Sequence, residues 1–332
     1  MSSLPTGKIS SHLLRELIDT LPLNDPDLIV PPGIGQDAAG IQIGSQLVAV
    51  TTDPITFTKQ RIGTYCVAVN INDLACLGCK PRWFTANLLL PPNTTETQLR
   101  QIWQELSEQL QKYQVTPIGG HTEVTDSVSA PILVGQMMGY PISDNLLNPQ
   151  NAQPGDKILL WQPAAIEATA LIAQEKAKQL EKYFSAAEIK TMQTLIDEPG
   201  ICVLPLVEKM LPCEGIVALH DPTEGGLATA LHELADAAKC GLVIKAEKLP
   251  IREDTQKLAE IFQVNPLGLL ASGSLLILCR KEAELQILEK LRDEPIYSMG
   301  ELTQNKDRLM HYSQKSLPLP RFDTDEIIKI IA

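Results

Sequence analysis

The 332-residue sequence has no long basic run, and its formal net charge is −12. A surface that holds nucleic acid through its phosphates needs clustered lysine and arginine, so no nucleic-acid partner is expected. No apolar run is long enough to span a membrane. The opening MSSLPTGKISSHLLRELIDTLPLND contains no signal-peptide core. No membrane association is therefore expected, and a cytoplasmic location is. No GxGxxG opens a helix after a strand, and neither GxxxxGKS nor GxxxxGKT occurs. Dinucleotide-binding and P-loop folds lose their support. The absence of GxSxG removes the hydrolase elbow as well. Cys76 and Cys79 form one C-x-x-C, but there is no second pair to complete a zinc site.

The seven cysteines are odd in number and mostly sit in apolar segments, which predicts reduced, buried thiols. For Cys76 and Cys79 the spacing predicts packing at a helix end. With 44% hydrophobic and 20% charged residues, the composition is that of an ordinary globular protein, and the length suggests two domains. Residues 141–154 are rich in Asn, Pro and Ser and read as a linker, dividing the chain into 1–150 and 151–332.

Three carboxylates carry the main functional signal. Residues 62–77 form an apolar run with Ile62, Cys66, Val69, Leu74 and Leu77 at helical spacing and further apolar residues between them. A helix apolar nearly all round is a buried one. Asp73 lies inside it, and a buried carboxylate without a partner is costly, so a metal ion is a good candidate partner. Asp37 in PGIGQDAAGI and Asp53 in VAVTTDPITF have similar settings. Asp37 precedes a predicted strand at 39–43. Asp53 is expected to end a strand at 47–52, where a rigid backbone suits a ligand.

Further along, a strand is predicted over 83–90. A helix follows over 96–113, with Leu99, Ile102, Trp103, Leu106 and Leu110 on its apolar side. Gly119-Gly120-His121 follows a strand, and two glycines allow close backbone approach to a ligand. In the second half, strands are predicted at 157–161, 215–219 and 275–279, and helices at 164–182, 186–197 and 200–211. In HDPTEGGLATALHELADAAKCG, Thr223 is the expected N-cap of a helix, and Gly241 its C-terminal stop. Gly225 and Gly226 cost that helix roughly 1 kcal/mol each relative to alanine. Either an anion held by the exposed N–H groups or tight packing on a neighbour accounts for the pair. Lys8, in a polar N-terminal arm, is either a solvated lysine or part of an arm that folds over a phosphate.

Taken together, GIGQDAAG, TTDPITF, VNINDLACLGCKPRWF, GGHTEVT, HDPTEGGLATALHELA and ASGSLLI resemble one superfamily. Its members include aminoimidazole ribonucleotide (AIR) synthase, selenophosphate synthetase, thiamin-monophosphate kinase and HypE. The similarity runs in order over nearly the whole chain and is strongest, in motif style, to the HypE-like, AIR synthase-related branch. NDLACLGCKPRW also resembles the kinases. The resemblance implies an α+β fold of two domains. The N-terminal domain would form a β-barrel across a homodimer, the C-terminal domain would be an α/β sandwich, and ATP would lie in the cleft. It implies ATP- and Mg2+-dependent chemistry on a small oxygen-bearing substrate. Carried over, it assigns Asp37, Asp53 and Asp73 to magnesium. Gly119, Gly120 and His121 fall on a phosphate-binding turn, and Asp221 lies near nucleotide or substrate. Magnesium suits such a set, because it takes one or two carboxylates together with water and phosphate oxygens.

The chain also departs from the family. The usual acidic pair before Ala-Ala is Gln36-Asp37. HypE proteins end in a cysteine that accepts a carbamoyl group, whereas this sequence ends IIKIIA and its last cysteine is Cys279. The cysteine or selenocysteine next to lysine of selenophosphate synthetase is absent near Gly7-Lys8. The expectation is a kept ATP site with a changed acceptor. The alternatives are a HypE-type maturation partner acting with another protein, a thiamin-monophosphate kinase-like phosphotransferase, and a non-catalytic nucleotide-binding regulator.

Overall fold

The computed structural model describes residues 4, 6–143 and 146–331. It contains two compact units. The first takes residues 23–31 and 37–146; the second takes the segment up to Pro22, residues 32–36, and the chain from Leu147 onward. The junction at Leu147 lies near the linker, but the N-terminal arm and the segment 32–36 count with the later unit. Helix α1 (Ser11–Ile18) belongs to that arm, with the Ser10 hydroxyl accepting the Leu13 N–H.

The first unit is built on β1 (Leu28–Val30), β2 (Ala39–Ile43), β3 (Gln46–Ile55), α2 (Ile62–Cys76), β4 (Cys79–Leu90), α3 (Glu96–Lys112), β5 (Thr116–Val124) and β6 (Ile132–Pro141). Its sheet has the order β1-β2-β3-β6-β4-β5, with β4 and β5 parallel and the other pairs antiparallel. Within one chain the sheet is open, with β1 and β5 as its edges. All fifteen residues of α2 are buried, as its all-round apolarity requires, and it packs on β3, β4, β6 and α3. Two glycines permit that approach. A Cβ on Gly63 would stand 2.6 Å from the Leu106 nitrogen, and one on Gly135 would stand 2.6 Å from Asn70 Nδ2. Helix α3 opens with a capping box between Thr95 and Gln98.

Three expectations are corrected here. Strand β3 does not stop at Thr52; it runs through Asp53 and Pro54 to Ile55, paired with β6 by Asp53↔Gly135 and Ile55↔Leu133. Pairing with β2 ends at Val50, so the later part of β3 is an edge, where proline is tolerated. Trp103 is not on the buried side of α3. Ile102, Leu106 and Leu110 form the buried stripe, while Trp103 flanks it and is 55% exposed. Gly119, Gly120 and His121 are not in a turn but inside β5, held in ladder register with Thr85, Ala86 and Asn87.

The second unit contains β7 (Lys157–Trp161), α4 (Ile166–Glu175), α5 (Ala177–Leu180), α6 (Ala186–Thr194), α7 (Leu204–Met210), β8 (Ile216–His220) and α8 (Gly226–Ala237). It continues with β9 (Gly241–Lys245), α9 (Glu253–Phe262), β10 (Leu275–Cys279), α10 (Glu284–Lys290), β11 (Ile296–Thr303), β12 (Arg308–Tyr312), β13 (Lys315–Pro318) and α11 (Ile328–Ile331). The sheet order is β13-β12-β9-β11-β7-β10-β8, antiparallel except for β12 with β9. Every residue of β10 is buried, as expected for a central strand covered on both faces. Leu227, Leu231 and Leu234 of α8 join Ile158, Leu160, Leu276 and Leu278 in the core.

Thr223 does not cap α8. Gly225 does, in the left-handed region at φ +80°, and its N–H donates to Asp325 Oδ2 at 2.7 Å. Nor does Gly241 end the helix. Lys239 takes the left-handed conformation at φ +53°, and Gly241 opens β9, where a Cβ would meet the Asn305 carbonyl oxygen at 2.2 Å. All seven cysteines are buried thiols, and burial pushes those of Cys79 and Cys279 up to about 12.

Candidate functional site

In the first unit, α2 and β3 carry Asp73 and Asp53, and the main chain of Asp37 runs beside them. Asp73 is 6% exposed, and its Oδ2 accepts the Thr51 hydroxyl at 2.6 Å. That hydroxyl also stands 3.1 Å from the main-chain oxygen of Asp37, so one side chain joins the three segments. Asp53 lies two residues after Thr51 on β3, and alternate strand residues share a face. Its N–H donates to Asn70 Oδ1 at 3.1 Å, and Asn70 Nδ2 donates to the Cys66 carbonyl at 2.8 Å. Asn70 and Asp73 are thus two buried polar residues through which α2 grips β3. Asp37 and Asp53 are half-buried. The donors are hard oxygens, the ligand type magnesium takes. Among the described residues, no three His, Cys, Asp or Glu side chains form a group able to hold a metal by themselves.

The Gly119-Gly120-His121 segment lies on exposed β5. A Cβ at Gly119 would find only Thr85 Cγ2, at 3.8 Å, whereas one at Gly120 would strike the Ala86 carbonyl oxygen at 2.4 Å. His121 Nε2 is 3.2 Å from Glu123 Oε2. A cavity of about 560 Å³ between α3 and β4–β5 is lined by Phe84, Trp103, Leu110, Gly119, Gly120 and His121, among others.

In the second unit, Asp221 is 2% exposed and follows His220 at the end of β8. Glu233, in α8, joins two of the elements. Its Oε1 is 2.9 Å from Lys8 Nζ and its Oε2 is 3.3 Å from His220 Nε2. Burial alone would raise this carboxyl. The His220 hydrogen bond and the Lys8 charge outweigh it and hold the group at about 2. Lys8 is therefore neither a free surface lysine nor a loose arm; it is docked within its own unit. Asp325 has the opposite environment. Burial pushes it up to about 7, although the N–H groups of Ile327, Gly225 and Leu270 and the neighbouring carboxyl of Glu167 also act on it. Glu167 is itself raised by burial and accepts the Ser272 N–H at 3.1 Å.

Sequence reasoning missed Thr51, Asn70, His220, Glu233 and Asp325. Two of them carried a signal: Asn70 and Glu233 are polar residues inside otherwise apolar helical runs. Asp325 carried none, because its partner Gly225 is a hundred residues away.

The comparisons with known proteins bear on these two units. The family model for the AIR synthase related protein N-terminal domain matches residues 35–140, and the model for the C-terminal domain matches residues 153–311. The chain belongs to the AIR synthase-related family. Within the family it is 29% identical over 308 residues to a proposed hydrogenase expression/formation protein of Methanocaldococcus jannaschii, covering 89% of this chain and 87% of that protein. It is 24% identical over 297 residues to carbamoyl dehydratase HypE of Cupriavidus necator, covering 87% and 80%. A crystal structure of the hydrogenase maturation protein HypE in complex with ATP shares the fold at a TM-score of 0.73 and 23% identity, covering 96% of this chain and 97% of that one. The family's α+β architecture of two domains agrees with the two mixed units described above.

Proposed function

We propose that this protein is an ATP- and magnesium-dependent, HypE-like enzyme that activates a small oxygen-bearing substrate by phosphorylation. The observation that carries the reading is Asp73. Its carboxylate is held by Thr51 inside a wholly buried helix, in a chain whose fold is shared with an ATP-bound HypE. Asp53, on the same face of β3 as Thr51, and Asp37, whose main chain adjoins that hydroxyl, would add oxygen donors of the kind magnesium takes together with water and phosphate oxygens. Magnesium, when bound, would neutralise phosphate charge and hold the triphosphate in line. The exposed backbone at Gly119 and Gly120, with His121, would approach the phosphates, and Asp221 and Lys8 are proposed as further nucleotide- or substrate-binding residues.

The names of the relatives support a role in hydrogenase maturation, and a protein of the same fold solved as a HypE-HypF complex supports a protein partner. All seven cysteines are buried, Cys279 in β10, which favours another group over any of these thiols as the acceptor. The open edge at β5, exposed along its length, supports a homodimer in which a second copy completes the barrel. No helix among the described residues is long and apolar enough to cross a membrane, and the cytoplasm remains the proposed location.

The test is ADP release by the purified protein with and without magnesium, across a panel of amide-, formyl- and hydroxyl-bearing substrates. Magnesium-dependent release stimulated by one class supports the reading. Transfer of the γ-phosphate onto a stable product would place the enzyme in the kinase-like class. Stoichiometric binding without any release would leave the regulator, and no ATP binding would overturn the proposal.

A further inference from the structure

Glu233 lies where three stretches of the second unit meet. From the N-terminal arm, Lys8 Nζ reaches its Oε1 at 2.9 Å. From the end of β8, His220 Nε2 reaches its Oε2 at 3.3 Å. From the segment 32–36, Gly35 abuts its main chain: at φ +74°, a Cβ on Gly35 would stand 2.8 Å from the Glu233 carbonyl oxygen. Arg15 of α1 adds a second pin, 3.6 Å from Asp236, which is three residues on and so on the same face of α8. One turn of α8 thus holds the arm that carries Lys8, the strand end that carries Asp221, and the GIGQD segment that leads into Asp37.

The chemistry of the contact is specific. The side chains of Glu233 and His220 are 8% and 5% exposed, while that of Lys8 is 41% exposed. A buried carboxylate is tolerated when it is paired on both oxygens. Because Glu233 stays ionised, it only accepts, so the hydrogen between it and His220 is carried by Nε2. The same carboxylate draws the Lys8 ammonium down onto α8 while leaving part of it in solvent.

We infer that Glu233 is a positioning residue, which orders Lys8, His220 and the Gly35 segment on one turn of α8 so that the solvent-facing part of Lys8 is presented to nucleotide or substrate. This rests on the ATP-dependent reading above. A purely structural strut would affect stability and activity together; a positioning residue affects turnover and the order of the arm.

The test uses the full chain with Glu233→Gln, Glu233→Asp, Lys8→Ala, Lys8→Arg and the Glu233→Gln/Lys8→Ala double variant. Wild-type ATP binding is measured first, then kcat and KM for ATP, thermal midpoints, and hydrogen exchange of residues 6–10. The expected result is a fall in kcat of roughly tenfold to a hundredfold in Glu233→Gln and in Lys8→Ala, with little change in KM. The double variant should be no worse than the poorer single one, because both act through one contact. Lys8→Arg should keep most of the activity, and Glu233→Asp should keep part of it. Arm exchange should rise in both Glu233→Gln and Lys8→Ala, and Lys8→Ala, which leaves the buried Glu233–His220 pair in place, should move the thermal midpoint little.

Wild-type kinetics and arm protection in Glu233→Gln would overturn the inference alone, as would independent, additive losses. Activity falling only in step with the thermal midpoint would reduce the contact to a strut. A wild-type protein that binds no ATP overturns the reading beneath it, and this inference with it.

Discussion

The two glycine pairs look alike in sequence and are used differently. In the sequence, Gly119-Gly120 and Gly225-Gly226 each come after a predicted strand and before polar or helical residues, and each suggests a backbone opened to an anion. In the first unit, Gly119-Gly120 lies in exposed edge strand β5, and a Cβ on Gly119 would meet only Thr85 Cγ2, at an unstrained 3.8 Å. In the second, Gly225 is buried and its N–H is already taken by Asp325. A side chain on Gly226 would meet the Leu269 and Leu267 carbonyl oxygens at 2.5 and 2.6 Å. In the first pair Gly119 has room beside it while Gly120 packs on the Ala86 main chain; the second pair serves packing and receives a carboxyl group from its own chain. A Gly-Gly pair therefore marks a demand on the backbone, and only the surroundings decide whether a ligand or a neighbouring strand meets it.

The strongest test of this contrast is Gly226→Ala. The φ of +64° and the clash with Leu269 should together cost about 3 kcal/mol or more, read as a lower denaturant midpoint. A near-neutral result would break the packing half of the comparison. Gly120→Ala should cost less, about 1–2 kcal/mol, because an edge strand can shift away from the Ala86 oxygen. Gly119→Ala should leave stability within about 0.5 kcal/mol while weakening ATP binding, if the backbone there meets phosphate. Unchanged binding in Gly119→Ala would remove β5 from the site.

The Asp325 contact sharpens the contrast through pH. Its folded value is raised from 3.8 to about 7, so between those values the folded protein binds a proton that the unfolded chain has released. Its contribution to stability is present at low pH and falls as pH rises through about 7. Asp325→Asn should flatten that slope in thermal midpoints taken from pH 4.5 to 8. Glu233 runs the other way. Its value is lowered from 4.5 to about 2, so its contribution is present above about 4.5 and is lost as pH falls toward 2. Glu233→Gln should remove that acid-side loss.

Much of the framework was legible in the sequence. Strands β2, β7 and β10 have the predicted limits, because continuous or alternating apolar runs bounded by turn residues leave little choice. The burial of α2 followed from its apolarity on every side, and the placement of Asp73 inside it followed in turn. What failed depended on distant neighbours. Thr223 has the chemistry of a cap, but Gly225 takes that role where Asp325 meets it. Trp103 fits an apolar stripe by spacing, but the α2–α3 contact at Gly63 sets which stripe is buried. The parallel pairing of β12 with β9 and the docking of Lys8 on Glu233 join residues far apart in sequence, where local pattern has nothing to report.

The central claim is that Asp73 helps to hold a magnesium ion that binds the nucleotide, and calorimetric titration of ATP into wild type and Asp73→Asn, with and without magnesium, tests it most directly. The wild type should bind ATP only when magnesium is present. Asp73→Asn should bind at least roughly tenfold to a hundredfold more weakly while keeping a near-wild-type thermal midpoint, since the Thr51 hydroxyl can still donate to the new amide oxygen. Equal, magnesium-dependent affinity in the two proteins would contradict the account.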